Sequence, residues 1–261
     1  MFLTILKIFM KLKLIAVSSI FLAGILLACS KKSDNSTITP TTTTIPDVYK
    51  KIYGALSMTS DGTTITITTN GLPDHKSVYY PTSDSKFEAF SGLTFANLTF
   101  AKNPNSIATQ SLTFKIPLKP AVNATHQATP LGPIGIAING VVFYNQYAGP
   151  SQPLTNEAAS FDQYWGHPQN TGQYHYHVEP LYLTKVKVSK SALLGFLLDG
   201  FPVYGPEENG SAVTNAMLDA YHGHTTNTID YPSGIYHYHI TSTDPYINGS
   251  GFYGTPGTIT K

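Results

Sequence analysis

A duplicated phrase constrains this chain more than any other feature. Residues 162–167 read Asp-Gln-Tyr-Trp-Gly-His and residues 219–224 read Asp-Ala-Tyr-His-Gly-His; each is followed by Gly-x-Tyr-His-Tyr-His, at 172–177 and 234–239. A composite of uncommon residues of that length marks an internal duplication, so the fold must hold two copies of one unit. On a strand, successive side chains point to opposite faces. Each Tyr-His-Tyr-His therefore presents two His on one face and two Tyr on the other.

Imidazoles at i and i+2 stand roughly 6–7 Å apart at Cα, close enough to converge on one ion at about 2.0–2.1 Å each. The Gly-His of the upstream phrase offers a third ligand, its Gly letting a loop backbone come close. Two candidate triplets result, His167, His175 and His177, and His224, His237 and His239. Asp162 and Asp219 are candidates for a further ligand or for an acceptor that orients an imidazole N–H, and His222 is an additional imidazole in the second copy. Two separate sites and one shared site both fit this pattern. The competing reading is a hydrogen-bonded His/Tyr network with no ion. His75 and His126, outside the repeat, are expected to be ordinary surface or core residues.

Composition narrows the chemistry. Sixteen basic and fifteen acidic side chains leave a net charge of +1, without the basic excess that nucleic-acid binding needs. The single Cys, Cys29, excludes a disulfide framework and any multi-Cys metal site. Imidazole and carboxylate are the strong ligands that remain, and they suit a divalent transition metal, zinc or copper first. No phosphate loop, Ser-centred elbow or Cys-His pair has a convincing context.

The N-terminus reads as an address. Lys7, Lys11 and Lys13 precede an apolar run from Leu14 to Leu26, the pattern of a secretory signal. The run ends Leu26-Leu27-Ala28-Cys29 and resembles a bacterial lipobox, which implies cleavage after residue 28 and lipidation of Cys29. Residues 29–46, polar and Thr-rich with two prolines, form the tether. The expectation is a protein held by its lipid on the bacterial cell envelope, on the periplasmic or outer-surface side.

Residues 47–261 read as one mainly β domain, sandwich- or barrel-like, with few short helices. Thr63 to Thr68 alternates at period 2, and Leu112, Phe114, Ile116 and Leu118 line one side of a second strand. Ile134 to Tyr144 forms two apolar runs around Asn139-Gly140, a strong hairpin signal. Val178–Val188 and Leu193–Tyr204 are each read as strands, with Pro202 at an edge or an end. Short helical pieces are expected near Leu154–Phe161 and Thr214–Ala220.

The repeated tetrapeptide, together with Leu131-Gly132-Pro133-Ile134-Gly135-Ile136-Ala137-Ile138-Asn139-Gly140 and Leu194-Gly195-Phe196-Leu197-Leu198-Asp199-Gly200-Phe201-Pro202-Val203-Tyr204-Gly205-Pro206, resembles the YHYH-domain proteins, a functionally uncharacterised family. The resemblance spans roughly Tyr49 to Tyr253. It implies Asp199 as a further functional candidate, either capping a turn or joining the His cluster as ligand or base. Family members often carry Cys where this chain has Tyr164 and Tyr221, so no thiolate role applies here.

Three functions follow as expectations. The first is a cell-envelope lipoprotein binding a divalent transition metal through the duplicated motifs. The second is a metal-dependent hydrolase or oxidase using Asp162, Asp199 or Asp219. The third is a non-catalytic adhesion or carbohydrate-binding module in which exposed Tyr and Trp165 stack on a partner.

Overall fold

Alternation and Gly-centred turns dictate the strands, numbered here in chain order. They are β1 (Ser57–Ser60), β2 (Thr64–Thr69), β3 (Leu112–Pro117), β4 (Pro133–Ala137), β5 (Val142–Tyr144), β6 (Tyr147–Ala148), β7 (Gln152–Pro153) and β8 (Gly166–Pro168). The second half adds β9 (Tyr174–Tyr176), β10 (Leu193–Leu197), β11 (Pro202–Tyr204), β12 (Glu207–Glu208), β13 (Ser211–Ala212), β14 (Gly223–Thr226), β15 (Ile235–His239) and β16 (Thr258–Thr260). The structure is a computed structural model that describes residues 44–249 and 251–261. The signal segment, Cys29 and most of the tether lie outside the described residues. Among the described residues no helix is long and apolar enough to cross a membrane.

The fold is mainly β, in open sheets rather than a closed barrel. A four-stranded sheet, ordered β1-β2-β3-β16, follows from the Thr/Ile alternation: Ile65 and Ile67 are buried and pair with Ile116 and Phe114, while the Thr residues between them face outward. Its apolar face shares one core with the central strands of the larger sheet, and Tyr49 of the short helix α1 (Asp47–Lys50) stacks on Phe196 at 4.4 Å. Strands β4 and β10 are buried along their whole length, which is why their sequences are continuously apolar rather than alternating.

The eight-stranded sheet runs β14-β15-β11-β10-β4-β5-β9-β8, the same set of four strands laid out twice from the centre. Equivalent residues lie 60 apart: Gly135 and Gly195, Gly140 and Gly200, Tyr144 and Tyr204. Across the β4–β10 seam Ile136 pairs with Phe196, flanked by Gly135 with Leu197 and Ala137 with Gly195. That register is symmetric about Ile136 and Phe196, so a local two-fold axis crosses the sheet there. The duplication therefore extends well beyond the His motifs and includes both central hairpins. Gly140 and Gly200 turn these hairpins at φ +83° and +86°. A Cβ on Gly200 would lie 2.4 Å from the Pro117 carbonyl, and one on Gly140 2.5 Å from that of Gly54.

Two sequence expectations change. Val178–Val188 is not a strand: after Pro180 the chain winds into a helical segment whose last part, Leu183–Lys187, is a π turn, with Leu183 and Thr184 N–H donating to the Pro180 carbonyl. Leu193–Tyr204 is a hairpin, β10 and β11, and Pro202 starts an internal strand that lies between β10 and β15. The helical pieces are 3-10 turns at Leu154–Asn156, Ala158–Ser160 and Asn215–Met217.

Candidate metal centres

Each copy of the motif builds the same turn. The Asp162 carboxylate accepts the backbone N–H of Tyr164 at 2.9 Å, and Asp219 accepts that of Tyr221 at 2.9 Å. The Asp backbone closes on the Gly, Asp162 N–H to Gly166 O and Asp219 N–H to Gly223 O, both 2.9 Å. The first Tyr of the tetrapeptide donates to the same carboxylate: Tyr174 to Asp162 and Tyr236 to Asp219, each at 2.9 Å. This explains the Gly, since a Cβ at Gly166 would sit 2.5 Å from the Tyr174 ring and one at Gly223 2.4 Å from the Tyr236 hydroxyl. The Gly-His segments are strands, β8 and β14, rather than loops.

The second Tyr of each copy is anchored by the central hairpins. Tyr238 donates to Asp199 at 2.6 Å, and the equivalent Asn139 donates to the Tyr176 hydroxyl at 3.1 Å. Asp199 also accepts the N–H of Gly254 and of Phe201. Burial pushes its carboxyl up to about 6 against the downward pull of these hydrogen bonds. Asp162, Asp199 and Asp219 are thus placed on the Tyr side, apart from the His groups. His222 lies outside the groups as well, with Nε2 at 3.0 Å from the Thr241 hydroxyl. The Tyr of both Tyr-His-Tyr-His segments are buried, and half-buried Trp165 packs edge-on against Phe95.

On the opposite side, strand register gathers the imidazoles. His167 pairs with His175 across β8–β9, and His224 with His237 across β14–β15. Directly opposed residues of an antiparallel pair have Cβ atoms about 4.5–5.5 Å apart, and the i+2 His completes each triplet. A carboxylate completes each group: Glu157 with His167, His175 and His177, and Glu208 with His224, His237 and His239, the ligand atoms of each group lying within 4.8 Å of one another. Glu157 Oε1 is 3.1 Å from His177 Nε2, and Glu208 Oε1 is 3.5 Å from His224 Nε2. The groups sit at opposite ends of the sheet. Four strands lie between β9 and β15, five spacings or about 24 Å along the sheet.

Hydrogen bonding sets the tautomers. His175 Nδ1 faces the Gln173 carbonyl at 3.1 Å and His177 Nδ1 the Asn145 carbonyl at 2.6 Å; His237 Nδ1 faces Ile235 O at 3.0 Å and His239 Nδ1 faces Gly205 O at 2.8 Å. A carbonyl only accepts, so these Nδ1 atoms carry the proton and Nε2 is left with a lone pair. Ser160 gives its hydroxyl hydrogen to the Glu157 carbonyl and accepts from His167 Nδ1 at 2.7 Å, which imposes the same tautomer there. The Nε2 lone pairs then face one another, 3.0 Å between His175 and His177 and 3.1 Å between His237 and His239, and His224 Nε2 lies 3.2 Å from His237 Nε2. His167 Nε2 is buried without a hydrogen-bond partner among the described residues.

Burial, reinforced by neighbouring imidazoles, holds His167 and His175 well below the usual histidine range. Burial brings His237 to about 4 and lowers His239. These rings are neutral near pH 7, the form that ligates metal. Tyr144 stacks on His175 at 3.9 Å, and its equivalent Tyr204 meets His237 edge-on at 5.1 Å.

Glu157 and Glu208 carry no sequence signal, because they do not occupy equivalent positions. The residue 60 before Glu208 is Ala148, on β6, whereas Glu157 lies between two 3-10 turns. Comparing the copies therefore finds three His per site and misses the fourth group.

The fold and these groups define a class: a mainly β protein with two symmetry-related clusters of three imidazoles and one carboxylate, each able to hold a metal ion. The family model described as YHYH protein matches residues 113–217 and 207–251, more than half of the chain, and the chain belongs to that family. Neither a curated protein nor a solved structure matches it.

Proposed function

We propose that this protein is a metal-binding lipoprotein of the bacterial cell envelope, holding one divalent transition ion in each His/Glu cluster. The observation that carries the reading is the mutual approach of unprotonated Nε2 atoms at 3.0–3.1 Å. Lone pairs so close repel, and a cation between them turns the repulsion into coordination. The spacing is near the edge of a tetrahedron with ligands at about 2.0–2.1 Å, about 3.3 Å. Three neutral imidazoles with one carboxylate suit zinc(II) and copper(II).

The test is elemental analysis of the full chain, purified in detergent and incubated with zinc or copper. Two ions per chain are expected, and no retained metal would overturn the reading. The envelope location rests on the lipobox-like ending at Cys29. Replacing Cys29 by Ala is expected to release the protein from the membrane fraction, and unchanged membrane retention would defeat that part.

A further inference from the structure

The two clusters are backed very differently from outside the repeat. The connection between β2 and β3, residues 70–111, runs over the first. There the Tyr79 hydroxyl donates to the Ser160 carbonyl at 2.6 Å, the Ala101 N–H to that of Ala159 at 2.8 Å, and the side-chain amides of Asn103 and Asn105 to that of Pro168 at 3.1 Å each. Strand β8, although it ends the sheet, is thereby capped, and Ser160, whose hydroxyl meets His167 Nδ1, is held in place. Strand β14 is the opposite edge. Among the described residues that connection sends it no hydrogen bond, and Thr225, next to His224, is exposed. Two residues before the Asp of the motif, where the first copy has Ser160, the second has the exposed Met217, which carries no hydroxyl. His224 Nδ1 accordingly has no hydrogen-bond partner among the described residues. The His224 side chain is 19% exposed, against 4% for His167.

The carboxylates do not set the difference. Glu157 is the more exposed of the two, but loss of either Glu leaves three imidazoles around an ion, so release waits for a ring to swing away. An acceptor on the far nitrogen is what orients a ligating imidazole. At the first cluster all three rings are tied through Nδ1, to Gln173, Asn145 and Ser160. At the second His237 and His239 are tied to carbonyls and His224 is not. We infer that the first cluster retains its ion, whereas the second exchanges its ion with a small chelating carrier bearing amine, imidazole or carboxylate donors. In that exchange His224 Nε2 leaves the ion and a donor atom of the carrier takes its place. The cleft that reaches Glu208, His237 and His239, about 670 Å³, gives the carrier room to approach. This rests on the metal-binding reading above.

The test mixes the zinc-loaded full chain, in detergent, with an excess of pyridylazoresorcinol, whose colour reports released zinc, and follows release in time. Two phases of equal amplitude are expected, about tenfold or more apart in rate, as loss of the hydrogen bond behind a ligating imidazole implies. Free histidine, added as the carrier, is expected to speed the faster phase alone. His237→Ala/His239→Ala is expected to remove the faster phase and His175→Ala/His177→Ala the slower. Ser160→Ala, which keeps every ligand, is expected to speed the slower phase about tenfold and to leave the faster unchanged; this arm stands even if the double variants fold poorly. A single phase, phases assigned the other way round, a faster phase that histidine does not accelerate, or a slower phase indifferent to Ser160→Ala would overturn the inference and leave metal binding intact. A chain that holds no zinc before the chelator is added would overturn the metal reading and this one with it.

Discussion

The two clusters share three imidazoles, the tautomers of the Tyr-His-Tyr-His pairs and their strand register, yet they differ in everything contributed by loops. In the first, the His are buried, the Glu comes from between two 3-10 turns, and Ser160 fixes His167 through Nδ1. In the second, the Glu comes from the β12–β13 hairpin, where it accepts from Thr226 at 2.8 Å, and His224 is half-buried rather than sealed in. Duplication preserved what the strands hold and let the loops find separate solutions for the carboxylate and the cleft. The first cluster is the more rigidly supported one and the second the more open.

The largest effects test whether the clusters are independent. An ion present at 100 times its Kd stabilises a folded chain by about 2.7 kcal/mol per site. Two loaded sites are therefore expected to add about 5 kcal/mol to unfolding stability in urea, and His175→Ala/His177→Ala or His237→Ala/His239→Ala to halve both that gain and the metal content. Glu157→Gln is expected to weaken metal at the first site only, and Glu208→Gln at the second only, each roughly tenfold or more by competitive titration with a chelator. Loss at both sites from either change would show that the clusters are coupled.

A second contrast lies on the Tyr side, where Asp199 stands opposite Asn139. Asp199 has its folded pKa raised to about 6 by burial, against an unfolded value of about 3.9. Ionisation is harder in the folded state, so the stability tied to its neutral form is full below about pH 4 and is lost as pH rises through 6. A tenfold difference in proton affinity between the folded and unfolded chain is worth about 1.4 kcal/mol, so the contribution of Asp199 alone falls by about 3 kcal/mol across this window, opposed in metal-free protein by the buried His of lowered pKa, whose contribution rises with pH. Asp199→Asn, which makes the position like its partner in the first copy, is expected to remove that loss, read as the difference between variant and parent in urea melts taken from pH 4 to 7.

The smallest expected difference concerns the first Tyr of each motif. Tyr174→Phe leaves the fully buried Asp162 short of a donor and is expected to cost about 1–3 kcal/mol. Tyr236→Phe, whose partner Asp219 is exposed, is expected to cost less than about 1 kcal/mol because water replaces the lost bond. Equal costs would mean that the two turns are supported alike.

Much of this was legible from local pattern. Alternation in Tyr174-His175-Tyr176-His177 put the imidazoles on one face, and Asn139-Gly140 placed a hairpin where one is found, because both rest on backbone geometry that neighbours hardly alter. The segment 178–188 misled because Val186 and Val188 imitate alternation, while Pro180 starts a helical turn and Val186 is exposed. Asp162 and Asp219 were plausible ligands by type, but their carboxylates are used by the turn and by a Tyr hydroxyl on the other side of the strand.

The sequence by itself determined the class, the duplication, the six imidazoles and their common face, since these depend on residue order and a two-residue period. Tertiary structure alone decided that there are two clusters and not one, that Glu157 and Glu208 join them, and that residues 70–111 cover only the first. The reason is physical. A strand carries its register in its own sequence, whereas a carboxylate or a covering segment brought in by a loop reaches its partners through the packing of the whole chain.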